Sequence, residues 1–325
     1  MIRAHWLVCA LWILFVALFA ASAQGNQPSR DSLSHFVFIG GEELELHRRL
    51  LASDEFDGAQ VIYSWRALEP REGEYDFTKI ERDLALADSL NKKLFVQLQD
   101  RFFLPGNRNL PEYILTEPEY GGGLVRQMDN AGEGKPKGSG WVAAQWNSAV
   151  RARYQALLGA LGKRFDGSIH GINLPETAIE LLPDTAEKSG FSCDAYFQAT
   201  MENLAAAKSA FTRSHVVQYV NFWPCEWNDS KGYMSRIFAF AVSEGVGIGG
   251  PDIIPYRRAQ ERNSYRFLEA LGDELPLVAM AVQGPTLTYN NPQTGKKFTR
   301  AEFEDYAVNR LNVDIIFWSL RAPGC

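Results

Sequence analysis

The sequence predicts an α/β protein of the (β/α)8 class, in which eight parallel strands close into a barrel. Short β-rich runs alternate with longer amphipathic stretches along the chain, which is the pattern of a parallel sheet with crossover helices. Eight such runs in series are the number that a closed barrel of this class requires. The predicted strands are Phe36–Gly40, Ala59–Tyr63, Lys93–Gln99, Ile169–Leu174, Val216–Phe222, Val246–Gly249, Leu277–Val282 and Val313–Trp318.

Apolar residues at steps of three and four predict the crossover helices, because that spacing puts them on one face of an α-helix. No repeat or linker divides the chain, so a single domain over residues 24–325 is predicted. The clearest helical patterns precede the fourth, fifth and eighth strands. They consist of Val150, Tyr154, Leu157, Leu161 and Phe165; Phe197, Met201, Leu204 and Phe211; and Phe303, Tyr306, Ala307 and Leu311.

Two features depart from an ideal barrel. Residues 101–146 form a long insertion after the third strand, with a loose tract at 131–140. A loop of this length is usually functional or disordered, and here it would overhang the C-terminal face, where barrel active sites lie. The chain also stops seven residues after Trp318, which leaves no room for an eighth helix. Either that edge is uncovered, or a partner or the N-terminal segment covers it, or the gene product is truncated.

The N-terminal segment predicts export. Arg3 and His5 give a weakly positive start, and residues 6–20 form an apolar run without a charge. The Ala-Ser-Ala tripeptide at 21–23 matches the pattern that signal peptidase recognises, so residues 1–23 are interpreted as a signal peptide. The mature protein is then secreted or periplasmic. The apolar run is shorter than the roughly 20 residues that span a bilayer, and an uncleaved anchor is the alternative.

Charge and composition narrow the classes of partner. The formal net charge of -6 is spread along the chain without a basic block, which argues against nucleic acid and anionic membrane surfaces as partners. Aromatic residues make up 12% of the chain, and such rings fill cores or stack on sugars. Gly-x-Ser-x-Gly, a phosphate-binding glycine loop and His-Glu-x-x-His are all missing from the sequence. No metal or other cofactor is predicted.

The cysteines predict one possible disulfide. Cys9 lies in the segment that is expected to be removed, and Cys193, Cys225 and Cys325 remain. An odd number of cysteines in an oxidising compartment leaves one of them unpaired. Cys193 and Cys225 fall in consecutive loops on the same face of the predicted barrel, so they could form a bridge, and the sequence leaves open whether they do.

Two segments carry a resemblance to a known group of enzymes. Residues 64–77 read SWRALEPREGEYDF, in which a strand delivers Trp65 to the rim before a turn leads into the next helix. Residues 171–178 read GINLPETA and place Asn173 and Glu176 at the end of the fourth strand. These segments resemble the second and fourth strands of the clan A TIM-barrel glycoside hydrolases, the β-galactosidase-like and cellulase-like retaining glycosidases. The resemblance supports no particular family within the clan.

The resemblance implies that Glu176 is the general acid/base. A glycosidic oxygen is a poor leaving group, so a carboxylic acid must protonate it, and the same group later activates water. The apolar strand before Glu176 would raise the pKa of its carboxyl by desolvation and so keep it protonated. The clan has an adjacent Asn-Glu pair, whereas here Pro175 precedes Glu176 and Asn173 stands three residues earlier.

The second carboxylate is less clear from the sequence. In the clan, the nucleophilic Glu ends the seventh strand, where this chain has Gln283, and an amide cannot form a glycosyl-enzyme ester. Asp252 after the sixth strand is the first substitute, because small residues and proline present it at the rim. Glu226 after the fifth strand and Asp100 at the end of the third are the others. Each of them could instead cap a helix or pair with an arginine.

Several residues at strand ends are predicted to bind substrate. Residues 313–318 resemble the eighth strand of the clan, which implies that Trp318 forms the floor under the sugar. The other predicted contacts combine flat rings with groups that can bond sugar hydroxyls. They are Trp65, Asp100, Asn173, Asn221, Trp223, Tyr256 and Gln283. Core packing is the alternative for each of the aromatic residues.

The sequence thus predicts a secreted glycoside hydrolase that cleaves a β-linked oligo- or polysaccharide by a two-carboxylate mechanism. Glu176 would be one carboxylate, and Asp252 or Glu226 the other. The alternative is a pseudo-glycosidase that binds carbohydrate without cleaving it, for which Gln283 is the support. A third hypothesis is an assembly partner that uses the edge without an eighth helix as its interface.

Overall fold

The computed structural model describes residues 33–128 and 139–323. The predicted signal peptide, most of the loose tract at 131–140 and Cys325 lie outside these ranges. The strands are β1 Ser34–Phe38, β2 Gly58–Ser64, β3 Lys93–Gln99, β4 Arg101–Phe102, β5 Leu124–Met128, β6 Ser139–Ala143, β7 Gly171–Leu174, β8 His215–Tyr219, β9 Gly247–Gly250, β10 Val278–Val282 and β11 Ile315–Ser319.

Eight of these strands form a closed parallel barrel, which confirms the predicted fold class. Their order around the barrel is β1, β2, β3, β7, β8, β9, β10 and β11, and β11 pairs with β1 to close it. Each predicted strand overlaps an observed one, and the third coincides with it from Lys93 to Gln99. Parallel neighbours need a crossover connection, and the amphipathic stretches provide it.

Helices lie between the strands as the apolar spacing predicts. No helix follows β11 as far as residue 323, where the described part of the chain ends. None of the helices in the described ranges is both long and apolar enough to span a bilayer. The helices are α1 Arg48–Leu51, α2 Trp65–Leu68, α3 Thr78–Ser89, α4 Glu112–Thr116, α5 Ser148–Phe165, α6 Pro183–Lys188, α7 Cys193–Ala210, α8 Tyr233–Glu244, α9 Arg258–Gln260, α10 Arg266–Leu271 and α11 Arg300–Leu311.

The core has two layers, because alternate residues of each strand face the barrel interior or the helices. Phe36, Phe95 and Phe317 fill the interior, and the larger cluster lies between strands and helices. The glycines of β9 allow close approach of the neighbouring strand. A Cβ on Gly249 would lie 1.8 Å from the carbonyl oxygen of Ala279, so only glycine fits at this position. The glycine-dense run therefore serves as a strand of the barrel.

The described part of the insertion contains a helix and three strands, where the sequence predicts a long loop. β4, β6 and β5 form a small antiparallel sheet, and α4 lies between β4 and β5 in the chain. The guanidinium groups of Arg108 and Arg126 lie over the ring of Trp141 in β6 at 4.7 and 5.4 Å, and its indole N–H donates to the carbonyl oxygen of Pro105 at 2.9 Å. The pairing joins residues about forty positions apart in the sequence, and a reading of local patterns does not detect it.

A disulfide joins Cys193 and Cys225, with their Cα atoms 6.2 Å apart, which settles the pairing that the sequence left open. Cys193 is the first residue of α7, and Cys225 lies in the loop after β8. The bridge therefore ties that loop to the start of the preceding helix. The same loop forms part of the cavity described below.

Candidate active site

A cavity of about 680 Å3 lies at the C-terminal face of the barrel. Its walls come from the loops that follow four consecutive barrel strands, β7 to β10. This volume is within the usual range for small-molecule sites, about 300–1,000 Å3. Apolar and aromatic side chains alternate with polar ones along the lining. The lining includes Asn221, Trp223, Glu226, Trp227, Asp252, Arg257 and Tyr289.

Glu176 follows β7 and lies half-buried beside this cavity. Its Oε2 accepts a hydrogen bond from Nδ2 of Asn221 at 3.3 Å, and Asn221 lines the cavity. Burial raises the pKa of the Glu176 carboxyl to about 7, and the negative charge of Asp252 acts in the same direction. The positive charge of Arg101 and the hydrogen bond from Asn221 oppose this rise in pKa. Glu176 is therefore protonated over much of the range below neutral pH.

Asp252 is the second carboxylate at this site. It follows β9, lines the cavity, and is the acidic group whose charge contributes to the raised pKa of Glu176. Its Oδ1 accepts a hydrogen bond from the hydroxyl of Thr286 at 2.7 Å. The hydroxyl of Tyr265 donates to its backbone carbonyl at 2.9 Å. These contacts fix the position of Asp252 beside the cavity.

Arg101, which sequence reasoning missed, supports the segment that carries Glu176. Its guanidinium donates to the backbone carbonyl of Glu176 and to the carboxylate of Asp100 at 3.0 Å. Asp100 is only 2% exposed and also accepts from Gln145 at 3.1 Å. The prediction that Asp100 contacts substrate is therefore wrong. Its carboxylate neutralises a buried guanidinium behind the site, as a buried charge requires.

Glu226 lines the cavity, but its carboxylate is engaged in capping α8. Its Oε2 accepts from the backbone N–H groups of Lys231 at 3.1 Å and Tyr233 at 2.8 Å. Its Oε1 accepts from the N–H of Met234 at 3.2 Å. These donors at the helix start have no partner within the helix. The structure thus gives Glu226 a capping role and contradicts its prediction as a catalytic carboxylate.

We expect Glu226→Ala to lower the free energy of unfolding by about 1–2 kcal/mol, because the first turn of α8 loses its acceptor. The measurement is urea unfolding at pH 7. Glu244→Ala, at the other end of the same helix, is the matched control and should leave stability nearly unchanged or raise it slightly. Equal effects of the two substitutions would contradict the capping role.

Aromatic rings form one side of the cavity. Trp223, predicted as a substrate contact, lines it but is only 1% exposed, and its indole packs against Phe197 and Tyr233. Trp227 is 50% exposed and offers the larger accessible surface. Sequence reasoning missed Trp227, although it ends the segment 223–227, Trp-Pro-Cys-Glu-Trp, which begins with the predicted contact Trp223. Arg257 and Tyr289 also line the cavity, and the guanidinium of Arg257 lies over the ring of Tyr289 at 4.7 Å.

Two predicted sugar contacts, Trp65 and Trp318, are wrong. Trp318 is fully buried on the outer side of β11, where its Nε1 donates to Nδ1 of His35 at 2.9 Å. Its neighbour Phe317 faces the barrel interior instead. Successive residues of a strand point to opposite faces of the sheet. An error of one position in the strand alignment therefore exchanges a residue that faces the cleft for one that faces the helices. Trp65 is 1% exposed and donates to Glu69 at 2.8 Å.

The other four predicted contacts lie at four different places. Asn173 is fully buried inside the barrel, where its Oδ1 accepts from Nε2 of Gln60 at 2.7 Å, so its prediction as a substrate contact is wrong. Gln283 is half-buried directly after β10. Tyr256 is 45% exposed and lines a different cavity, so its prediction as a cleft residue is also wrong. Asn221 is the predicted amide that lines the cavity and contacts Glu176.

A second cavity, of about 580 Å3, lies over the ends of β1, β2 and β3. It is more polar than the first, and Lys79 and Arg82 of α3 line it together with Glu43 and Gln99. β7, which precedes Glu176, lies between β3 and β8 in the barrel. Glu176 therefore lies on the loop that borders the first cavity, and its strand is next to β3, whose end borders the second.

The sequence matches no family model and no curated protein significantly. Solved structures match the fold. The catalytic domain of β-amylase from Paenibacillus polymyxa superposes with a TM-score of 0.58 at 8% identity, over 90% of this chain and 92% of that one. Xylanase 10B from Thermotoga petrophila, in complex with xylobiose, gives a TM-score of 0.49 at 14% identity, over 89% and 82% of the two chains. The predicted resemblance to TIM-barrel glycoside hydrolases is confirmed at the level of the fold, without a family.

Proposed function

We propose that this protein is a secreted glycoside hydrolase that uses Glu176 and Asp252 as its two carboxylates. One observation carries the proposal. A glutamate at the C-terminal end of a barrel strand has its pKa raised to about 7 by burial and by a neighbouring aspartate, beside a cavity of sugar size. Two titratable groups with different roles in one site are the usual arrangement of acid/base catalysis.

In the proposed reaction, protonated Glu176 donates its proton to the glycosidic oxygen as the bond to the anomeric carbon breaks. Asp252 acts from the other side of the sugar ring, either attacking the anomeric carbon or activating a water molecule. Asn221 holds the Glu176 carboxyl in place through its side-chain N–H. In this proposal the nucleophile or base comes from the sixth barrel strand, whereas in clan A it comes from the seventh.

The two cavities support an oligo- or polysaccharide as substrate. The first has exposed Trp227, which suits stacking on the apolar face of a pyranose, and the polar groups of Asn221 and Asp252. The second offers charged and amide groups over the neighbouring strands. A sugar chain that crosses the C-terminal face past Glu176 would contact both.

A second candidate function is carbohydrate binding without cleavage. The observation that favours it is Gln283, an amide at the end of the seventh barrel strand, where clan A has its nucleophile. In this case Asp252 would only bind a sugar hydroxyl. The two functions differ in one result, since only the hydrolase releases reducing ends.

The test is a screen of soluble β-glucans, xylans, mannans and chromogenic glycosides for released reducing ends or aglycone. The double variant Glu176→Gln/Asp252→Asn gives the background rate. Release above this background by the wild type supports hydrolysis. Binding of a polysaccharide without release would favour the second function, and neither binding nor release would refute both.

We expect kcat/KM to fall about tenfold per pH unit above pH 7, because Glu176 must be protonated to act as the acid and its pKa is about 7. In Asn221→Ala this limb should move to higher pH, since the hydrogen bond from Asn221 lowers the pKa of Glu176. The measurement is kcat/KM between pH 4 and 9 for both proteins. A wild-type limb well above pH 8, or the same limb in both proteins, would contradict the assignment.

We expect Trp227→Ala to raise KM about five- to thirtyfold with little change in kcat. Loss of an exposed indole removes about 1–2 kcal/mol of apolar contact with the sugar in both the ground and transition states. Trp227→Phe keeps a flat ring and should raise KM much less. A fall in kcat alone, without a change in KM, would show that the indole does not serve as a binding surface.

A further inference from the structure

A third cavity, of about 360 Å3, lies outside the cleft on the far side of the segment 256–263. Arg257, Gln260 and Asn263 of this segment line the main cavity. Tyr256 and Glu261 of the same segment line the outer one. The segment is therefore a wall with a cavity on each side. We call the outer cavity the Tyr256 groove; its lining residues are Tyr256, Glu261, Asp305, Tyr306, Asn309 and Arg310.

The ring of Tyr256 is held in a fixed position while much of it stays accessible. It packs edge-on against Tyr306 with ring centroids 5.3 Å apart, and it stacks near Phe298 at 6.5 Å. Even so, Tyr256 is 45% exposed. An aromatic surface that is ordered before binding loses little conformational entropy when a ligand stacks on it.

The backbone of Tyr256 also shows that this position is maintained at a cost. Its φ angle is +65°, a left-handed conformation that is unfavourable for a residue with a Cβ atom. The ring of Tyr306 packs against that of Tyr256, and the hydroxyl of Tyr306 donates to the carboxylate of Glu261. The residues of the groove thus hold Tyr256 in this conformation. Such outliers concentrate at functional sites.

Polar groups surround the ring with both donors and acceptors. Arg310 donates to Glu261 at 3.5 Å, and Nδ2 of Asn309 donates to Oδ1 of Asp305 at 3.0 Å. Guanidinium and amide groups can donate to sugar oxygens, and carboxylates accept from sugar hydroxyls. With two acidic groups and one basic group, the groove suits a neutral sugar better than an anionic one.

We propose that the Tyr256 groove is a second carbohydrate-binding site, which holds a neutral glycan chain outside the cleft. An accessible ring edged by hydroxyl-bonding groups is the chemistry of a sugar site. The choice of ligand rests on the proposed function, since the groove shares a wall with the proposed active site. A long chain held here raises the local concentration of cleavable bonds at the cleft.

The test compares polysaccharide affinity with activity on a small substrate. In the Glu176→Gln background, Tyr256→Ala and Asn309→Ala should each weaken binding to soluble neutral β-glucan or xylan at least fivefold in affinity gel electrophoresis. Tyr256→Phe should bind like the parent. With Glu176 intact, Tyr256→Ala should hydrolyse a short chromogenic glycoside within twofold of the wild-type rate.

Phe103→Ala is the matched control, because Phe103 is a 39% exposed aromatic residue on the loop after β4. It should bind polysaccharide like the parent. If Tyr256→Ala and Asn309→Ala also bind like the parent while the wild type hydrolyses the polysaccharide, the groove proposal is refuted and the proposed function stands. If the parent binds no glycan and the wild type hydrolyses none, both are refuted.

Discussion

Glu176→Gln lowers the rate of polysaccharide hydrolysis by about 10²–10⁴-fold if Glu176 is the general acid, the range that such proton transfer contributes. Glutamine has the shape of the protonated acid and can keep the contact with Asn221, but it has no proton to give to the leaving oxygen. Binding of the polysaccharide should change little. The measurement is kcat and KM for reducing-end release by wild type and variant.

The size of the loss should depend on the leaving group. An aryl glycoside whose leaving group needs no protonation should lose much less activity in this variant than a polysaccharide does. Glu180→Gln is the matched control, since Glu180 lies four residues further on and lines the same cavity. Equal rates for wild type and Glu176→Gln on the polysaccharide would remove Glu176 from the mechanism.

Stability gives an independent check on the same variant. The folded protein holds the pKa of Glu176 above its ordinary value, near 7, so the stabilising contribution of the protonated form is present at low pH. It is lost as the pH rises through about 7. Glutamine mimics the protonated acid, and Glu176→Gln should therefore have a higher Tm than wild type at pH 8 but not at pH 4. A lower activity together with a lower Tm at pH 8 would indicate a folding defect.

Asp252→Asn should lower kcat by about 10³-fold or more, because the amide can neither attack the anomeric carbon nor deprotonate a water. This loss should apply to polysaccharides and activated aryl glycosides alike, in contrast to the loss in Glu176→Gln. Rates for both substrate types in both variants make the comparison. The difference in pattern is what identifies the two roles.

Thr286→Val is the control for a change in position alone. It removes the 2.7 Å hydrogen bond to Asp252 and should cost about 1 kcal/mol, or roughly fivefold in rate. A similar small loss in Asp252→Asn would show that Asp252 only binds substrate. The carbohydrate-binding alternative would then be favoured, together with the amide of Gln283 at the seventh strand.

The fold could be predicted because its signals are local. Alternation of short apolar runs with helical spacing identified all eight barrel strands, and Val150, Tyr154 and Phe165 lie buried on one face of α5. The sheet in the insertion was missed because its strands pair over a long sequence distance. Arg108 and Arg126 lie over the ring of Trp141 in this sheet, and a sequence pattern does not reveal such contacts.

The sequence identified residues of the candidate site only where a position at the end of a barrel strand was enough to place the side chain at the cavity. Asn221 and Asp252 line the cavity because they follow consecutive barrel strands. Trp318 also lies at a strand end, but the pleat turns it outward toward His35. Glu226 lines the same cavity as Asp252, and its capping contacts to α8 depend on the fold of the loop. Register and hydrogen-bond partners require the three-dimensional structure.

The most direct test of the account is a pH titration of the Glu176 carboxyl, observed by 13C NMR. Glu176→Gln serves to assign the signal of this carboxyl. The account predicts a midpoint near pH 7 in the wild type and a lower midpoint in Asp252→Asn, because the charge of Asp252 contributes to the raised pKa. A wild-type midpoint near the ordinary value of about 4.3 for glutamate, unchanged in Asp252→Asn, would contradict the pairing of these two carboxylates.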